Sequence, residues 1–170
     1  MLRIWARTVY TLMMSSFALS LKSQPRTRAS STSRSREVRL PGLCQRLAFR
    51  ADGTLLALLK QGDHLLIQEC LYGGTYDFIV NDLPKLGIAF DFIDENDPTN
   101  WAQLLRPETQ AVYVESMTNP LLGVIDLEAV SAFARDNHLV SIVDNTFPSP
   151  INFRPSEWGF DLSLHSCTKY

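Results

Sequence analysis

From about Thr54 onward the chain alternates between short, β-rich apolar runs and stretches whose apolar positions recur at helical spacing. Runs at residues 65–67, 88–93, 111–114, 139–143 and 160–164 are each bounded by Gly, Pro, Asp or Asn, and they predict buried strands. Between them, residues 53–61, 75–86, 98–105 and 125–137 have the periodicity of amphipathic helices. In the last of these Leu127, Val130, Ala134 and Leu139 share a face, and Asp126 and Glu128 sit in the first turn, where the helix dipole favours negative charge. Such alternation predicts an α/β domain with a parallel or mostly parallel sheet and covering helices. Trp101 and Trp158 fall in predicted surface elements, where packing against neighbouring helices is expected.

A chain of 170 residues that is 45% hydrophobic suffices for one domain with a real core. Its net charge of -2 conceals an asymmetry, because Arg3, Arg7, Lys22, Arg26, Arg28, Arg34 and Arg36 all precede the first acid, Glu37. The remaining body is acidic and has no basic aromatic stripe, which excludes a nucleic-acid platform. Residues 1–40 combine Arg and Ser enrichment with an apolar stretch at residues 9–21 that Thr11, Ser15 and Ser16 interrupt. This is the composition of a targeting-like or disordered leader: a mitochondrial or plastid transit peptide, a secretory signal, or an upstream extension without a targeting role. The apolar stretch is shorter than the ~20 residues a membrane span needs. The domain proper is expected over residues 41–170.

Cys44, Cys70 and Cys167 are odd in number and lack CxxC spacing, so they indicate neither a disulfide framework nor a zinc site, and a reducing compartment fits them. His64, His138 and His165 share no metal-ligand spacing, and solvated or capping roles are expected for them. No metal site is expected.

Open α/β sheets bind ligands beyond the carboxyl ends of their strands. Four polar groups fall at such ends: Tyr72-Gly73-Gly74, residues 115–119, Asp144 with Asn145, and residues 166–169. Asp144 follows a buried strand, so its carboxylate either meets a cationic or hydrogen-bonding partner in a cleft or caps a turn through its side chain. Ser166 and Thr168, two residues apart in an extended backbone, would point the same way and could donate to an anion. Lys169 would then project to the opposite side or turn with the chain as the strand ends. Gly73 and Gly74 allow close approach of backbone to a ligand or simply mark a turn, and Tyr72 either stacks on a planar ring or packs. An amine for an imine, a carboxylate for a ring nitrogen, hydroxyls for a phosphate and an aromatic face match the needs of pyridoxal 5'-phosphate. A phosphoacceptor receiver domain also uses Asp, a hydroxyl and Lys at strand ends. It wants paired acids after the first strand for magnesium, and Gln68 and Glu69 supply only one.

At these residues the chain resembles the pyridoxal-phosphate-dependent enzymes of cysteine and methionine metabolism, the trans-sulfuration group of cystathionine lyases, cystathionine synthases and methionine γ-lyase. The resemblance rests on LLALLKQGDH at 55–64, LYGGTY at 71–76, YVESMTNPLL at 113–122, IVDNTF at 142–147 and GFDLSLHSCTKY at 159–170, in uninterrupted order. It implies the large domain of a fold-type I enzyme, a carbon-sulfur lyase activity on a small sulfur amino acid, and a homo-oligomer, dimer or tetramer, in which neighbouring chains share each site. It also implies that Lys169 forms the Schiff base with the cofactor and moves substrate protons, and that Asp144 pairs with the pyridinium nitrogen. Ser166 and Thr168 would hold the phosphate, Asn119 the phenolic oxygen, and Tyr72 would stack on the ring and assist proton transfer to the departing group. The family's default compartment is the cytoplasm, with mitochondrion or plastid the alternative if residues 1–40 are a transit peptide; no membrane association of the mature form is implied.

The departures have consequences too. Where the family has a Ser-Gly-Met stretch whose amides bind phosphate, this chain has Arg50-Ala51-Asp52-Gly53, and residues 1–50 show no counterpart of the Tyr-x-Arg segment that reaches the neighbouring subunit's site. The small domain with its substrate-binding arginine is absent from the 170 residues. The expectation is therefore a partial large domain with little activity on its own, or else a non-catalytic remnant that binds a full-length relative. β- and γ-elimination, and lyase and synthase, are equally compatible with these motifs.

Overall fold

The computed structural model describes residues 51–95, 97–166 and 169; the leader expected over residues 1–40 and the expected domain start at 41 lie outside them, as do Cys44, Cys167 and Thr168. Within the described residues the order is α1 (Ala51–Leu58), β1 (His64–Gln68), α2 (Gly73–Asn81), β2 (Ala89–Ile93), β3 (Thr109–Glu115), α3 (Leu127–Asp136), β4 (Val140–Asp144), α4 (Ser149–Asn152) and β5 (Leu162–Leu164). Short 3-10 helices occupy Pro84–Leu86, Pro98–Leu104 and Pro155–Trp158. All strand pairings are parallel, in the order β2-β1-β3-β4-β5. This is the expected α/β layering. The chain winds outward from β1 to β2, then jumps back past β1 to β3, so the switch point lies between β1 and β3.

Side-chain alternation along the strands divides the core into two layers. Leu65 and Ile67 of β1, Ala111 and Tyr113 of β3 and Ile142 of β4 face Leu55 of α1 and Ile79 of α2. Leu66, Val112, Val114 and Val143 point the other way, onto Trp101 and onto Val130 and Ala134 of α3. Both faces are thus covered, which is why these strands read as continuous apolar runs. Each fully buried Leu, Ile or Val contributes about 1.5–3 kcal/mol relative to an exposed one, so the sheet interior supplies most of the driving force.

Several local expectations are corrected. The helix predicted over residues 75–86 begins at Gly73 and stops at Asn81. Pro84 lacks an amide donor and opens a separate 3-10 turn, which ends at Gly87 in the left-handed region, φ 73. The predicted helix over residues 98–105 is a 3-10 helix, started by Pro98 and capped by Asp97, whose carboxylate accepts the Thr99 amide at 3.1 Å. Trp101 on it packs edge-on against Phe133 of α3, the expected contact with a neighbouring helix, but it is buried rather than at the surface and donates its indole N–H to the Asp94 carbonyl at 2.8 Å, whereas Trp158 is exposed. His64 is neither solvated nor a cap. It is buried at the amino end of β1, with Nδ1 2.8 Å from the Thr109 hydroxyl and Nε2 3.2 Å from Asp91, which also pairs with Arg106. Burial and the nearby Arg106 charge lower its pKa.

Among the described residues no helix is long and apolar enough to cross a membrane.

Candidate active site

The carboxyl ends of β1, β3, β4 and β5 bring most of the predicted residues to one end of the sheet. β1 ends in Gln68 and β3 in Glu115, the residues that flank the switch point. Gln68 is fully buried; its Oε1 accepts the Glu115 amide at 2.9 Å and its Nε2 donates to Glu95 in the loop after β2. Glu115 is also buried, and its Oε1 accepts the backbone N–H of Tyr72 at 2.8 Å. The backbone N–H of Asn119 donates to the same carboxylate. Burial and the Asp144 charge push the Glu115 carboxyl up to about 7, against the pull of those two amides.

Tyr72 precedes α2 with an extended backbone and is 56% exposed. Its carbonyl accepts the amides of Thr75 and Tyr76, so the residue opens the first turn of the helix. Its ring lies over Gly74: a Cβ there would come within 2.8 Å of the ring. The two glycines therefore differ in role, since a Cβ on Gly73 would meet nothing within 4 Å. Asn119 is exposed and joined to Pro120 by a cis peptide bond. The loop it belongs to is closed by Thr118, which exchanges hydrogen bonds with Gly123 at 2.9 Å through its amide and its hydroxyl.

Asp144 is the last residue of β4 rather than the first after it, and it lies in register with Glu115 on one side and Leu164 on the other. Its Oδ1 accepts from the Thr146 amide at 3.0 Å and from the Thr146 hydroxyl, so the turn-capping alternative is realised. Beneath it, the Tyr113 hydroxyl is fully buried without a well-aligned partner and faces Thr75 and Asp144. Burial and the Asp144 and Glu115 charges hold its phenol well above the usual range, so it remains a proton donor.

Ser166 is tied back to this corner: its amide donates to the Thr146 hydroxyl at 2.9 Å. The Lys169 amide in turn donates to the Ser166 carbonyl at 3.0 Å, which closes a turn. The chain therefore leaves extended geometry at Ser166, and Lys169 turns with it into an exposed position. The same-side alternation expected of Ser166 and Thr168 involves Thr168, which lies outside the described residues. Unbroken chains of contacts thus link Tyr72, Glu115 and Asn119 on one side and Asp144, Thr146, Ser166 and Lys169 on the other.

The residues present fit pyridoxal phosphate. The corner offers a half-buried carboxylate at the end of β4, a buried phenol beneath it, an exposed aromatic ring and an exposed amine. One contact does not fit: Ala51, Asp52 and Gly53 form the first turn of α1, and the Gly53 amide already donates to Asp52 Oδ1 at 2.9 Å. A carboxylate occupies the amide that the family's phosphate-binding stretch would offer. Gln68, Tyr113 and Thr146 are not among the site residues expected from sequence, and Glu115 enters there only as the first member of the polar group 115–119; a Gln and a Glu closing two buried strands were the available signal.

Residues 49–170 match the profile of the Cys/Met metabolism PLP-dependent enzymes, and the chain belongs to that family. It is 40% identical over 120 residues to cystathionine β-lyase MetC of Bacillus subtilis, covering 71% of this chain and 31% of the relative. The crystal structure of cystathionine γ-lyase from Lactobacillus plantarum, complexed with L-serine, superimposes with a TM-score of 0.65 at 37% identity, covering 68% of this chain and 30% of that one. A protein assigned as an O-acetylhomoserine (thiol)-lyase from Campylobacter jejuni, solved with N'-pyridoxyl-lysine-5'-monophosphate, gives a TM-score of 0.64 at 31% identity over 66% of this chain and 28% of that one. The chain spans about a third of the length of the curated relatives it matches.

Proposed function

We propose that this chain forms the cofactor-binding part of a pyridoxal-phosphate-dependent enzyme acting on a carbon-sulfur bond of a small sulfur amino acid. The observation that carries this reading is the convergence of Tyr72, Asp144, Ser166 and Lys169 at the carboxyl ends of the strands, in a chain of this family. When bound, pyridoxal phosphate supplies an electron sink for a carbanion at the substrate's α-carbon.

The chain's own residues then divide the work. The Lys169 amine would hold the cofactor through its aldehyde carbon and, once displaced by the substrate's own amine, would take and return the substrate's α-proton. Asp144 would present its carboxylate to the ring nitrogen, steadied by the amide and hydroxyl of Thr146, with the buried Tyr113 phenol beneath it. Ser166 and Thr168 would donate hydroxyl hydrogen bonds to the phosphate, Asn119 would bond the ring's phenolic oxygen, and Tyr72 would cover one ring face. Subunits of a homo-oligomer complete each site in this reading.

The test is reconstitution of the chain with pyridoxal phosphate. The expected result is a visible absorption band of lysine-bound cofactor that is absent in Lys169→Ala; borohydride, by adding hydride to the C=N bond, is expected to bleach that band and leave the cofactor fixed to Lys169 as a stable secondary amine. Identical spectra of the two proteins would exclude Lys169 as the attachment point.

A further inference from the structure

Glu115 is the one buried carboxylate at the site's corner to which the reading above gives no task. Its surroundings are specific. From β4 the Asp144 carboxylate faces it, and from β3 the Tyr113 hydroxyl. From β1 comes the neutral Gln68, with the Glu95 carboxylate beyond it, and the two loops contribute the backbone amides of Tyr72 and Asn119. Two amide donors from separate loops thus converge on a single carboxylate at the end of the central strand.

We propose that Glu115 is a positioning residue: its carboxylate tethers the Tyr72 loop and the Asn119 loop to the end of β3, and the charge at Asp144 sets how strongly it does so. The tether is a geometric statement about this chain; its coupling to Asp144 rests on the cofactor reading. An ionised acceptor makes a shorter and stronger bond to an amide than a neutral carboxyl does. Burial is the larger reason that Glu115 holds a proton and the Asp144 charge adds to it, so a positive charge placed against Asp144 offsets that added repulsion, eases the ionisation of Glu115 and draws both loops in. By linkage the converse holds as well: ionising Glu115 favours whatever cation sits at Asp144. Tyr72 and Asn119, the residues proposed to touch opposite parts of the cofactor, would in this way be set together.

The test follows the Tyr72 amide by NMR in the full chain across pH 5 to 9, together with the side-chain carboxyl carbon of Glu115. In the cofactor-free protein the Tyr72 amide is expected to move downfield with the same midpoint as Glu115, near neutrality, and in Glu115→Gln that titration is expected to vanish while the fold persists. Glu115→Asp, which keeps the charge on a shorter arm, is expected to restore a titration of smaller amplitude. Adding pyridoxal phosphate is expected to lower the midpoint. A Tyr72 amide that ignores the Glu115 midpoint, or one that still titrates in Glu115→Gln, overturns the tether. A midpoint unmoved by bound cofactor overturns the coupling to Asp144. Should the chain bind no cofactor, the reading of its function fails and the coupling with it, while the cofactor-free titration still decides the tether.

Discussion

The side-chain carbonyl of Gln68 accepts the Glu115 amide at 2.9 Å, extending the β1-β3 pairing beyond its last backbone rung at Ile67 and Tyr113. The bond crosses the point where the winding of the sheet reverses, and a gap between strand ends is where α/β sheets open into a ligand cleft. Gln68 therefore closes the floor of the gap from both directions, since its amide also reaches Glu95.

The first prediction concerns this floor. Gln68→Leu leaves the buried Glu115 amide without an acceptor and frees Glu95, which should cost about 1–3 kcal/mol. Urea unfolding followed by circular dichroism measures it. A change below about 0.5 kcal/mol would mean that water or a neighbouring carbonyl replaces the glutamine.

The second concerns the link between β4 and the loop after β5. The Thr146 hydroxyl donates to Asp144 and accepts the Ser166 amide at 2.9 Å, so Thr146→Val removes both bonds at constant volume. Stability should fall by about 1–2 kcal/mol, and pyridoxal phosphate affinity by roughly tenfold because Asp144 and Ser166 are no longer set relative to one another. Fluorescence titration with the cofactor, beside Thr146→Ser as the rescuing variant, checks it. Equal affinities for wild type and Thr146→Val would detach Ser166 from the site.

These contacts also mark the boundary of what could be read without a structure. The five strands were legible because each is buried on both faces and so stands out as an apolar run between polar breakers. Lys169, Asp144 and Tyr72 stand out in the sequence because their residue types and order are distinctive, and their roles rest on the proposal above. The tie between Gln68 and Glu115 was not, because a buried amide and its partner 47 residues away leave no periodic trace. Trp101 escaped for a related reason: a 3-10 segment started by Asp97 and Pro98 turns it inward, and helical spacing cannot show that. His64 was misread because its partners, Thr109 and Asp91, come from the two strands beside it.

The third prediction is a pH dependence of stability. The Glu115 carboxyl is raised from 4.5 to about 7 in the folded chain, chiefly by burial. Between those values the folded state holds a proton that the unfolded state has lost. Its stabilising contribution is therefore fully present below pH 4.5, declines as pH rises and is gone above about 7. At 1.36 kcal/mol per pKa unit the change is about 3 kcal/mol, and Glu115→Gln should flatten it. His64 works in the opposite sense. Its lowered pKa gives stability that is present above pH 6.5 and lost as pH falls through its folded value. Urea midpoints of wild type, Glu115→Gln and His64→Gln at half-unit pH steps separate the two, and an unchanged slope in Glu115→Gln would falsify the assignment.

The last prediction separates the fold from the site at Gly74. An added methyl there would come within 2.8 Å of the Tyr72 ring, and the ring is half exposed and free to swing away. Alanine also suits a helix better than glycine, by about 0.5–1 kcal/mol. Gly74→Ala should therefore leave the melting temperature unchanged or slightly raised while it displaces the ring that covers the proposed cofactor. Visible circular dichroism of bound pyridoxal phosphate, which reports the asymmetry of the ring's surroundings, should fall in Gly74→Ala and in Tyr72→Ala alike. Gly73→Ala is the control, because a methyl at that position meets nothing within 4 Å. A Gly74→Ala protein with the wild-type dichroism would show that Tyr72 packs on its own helix and takes no part in holding the ring.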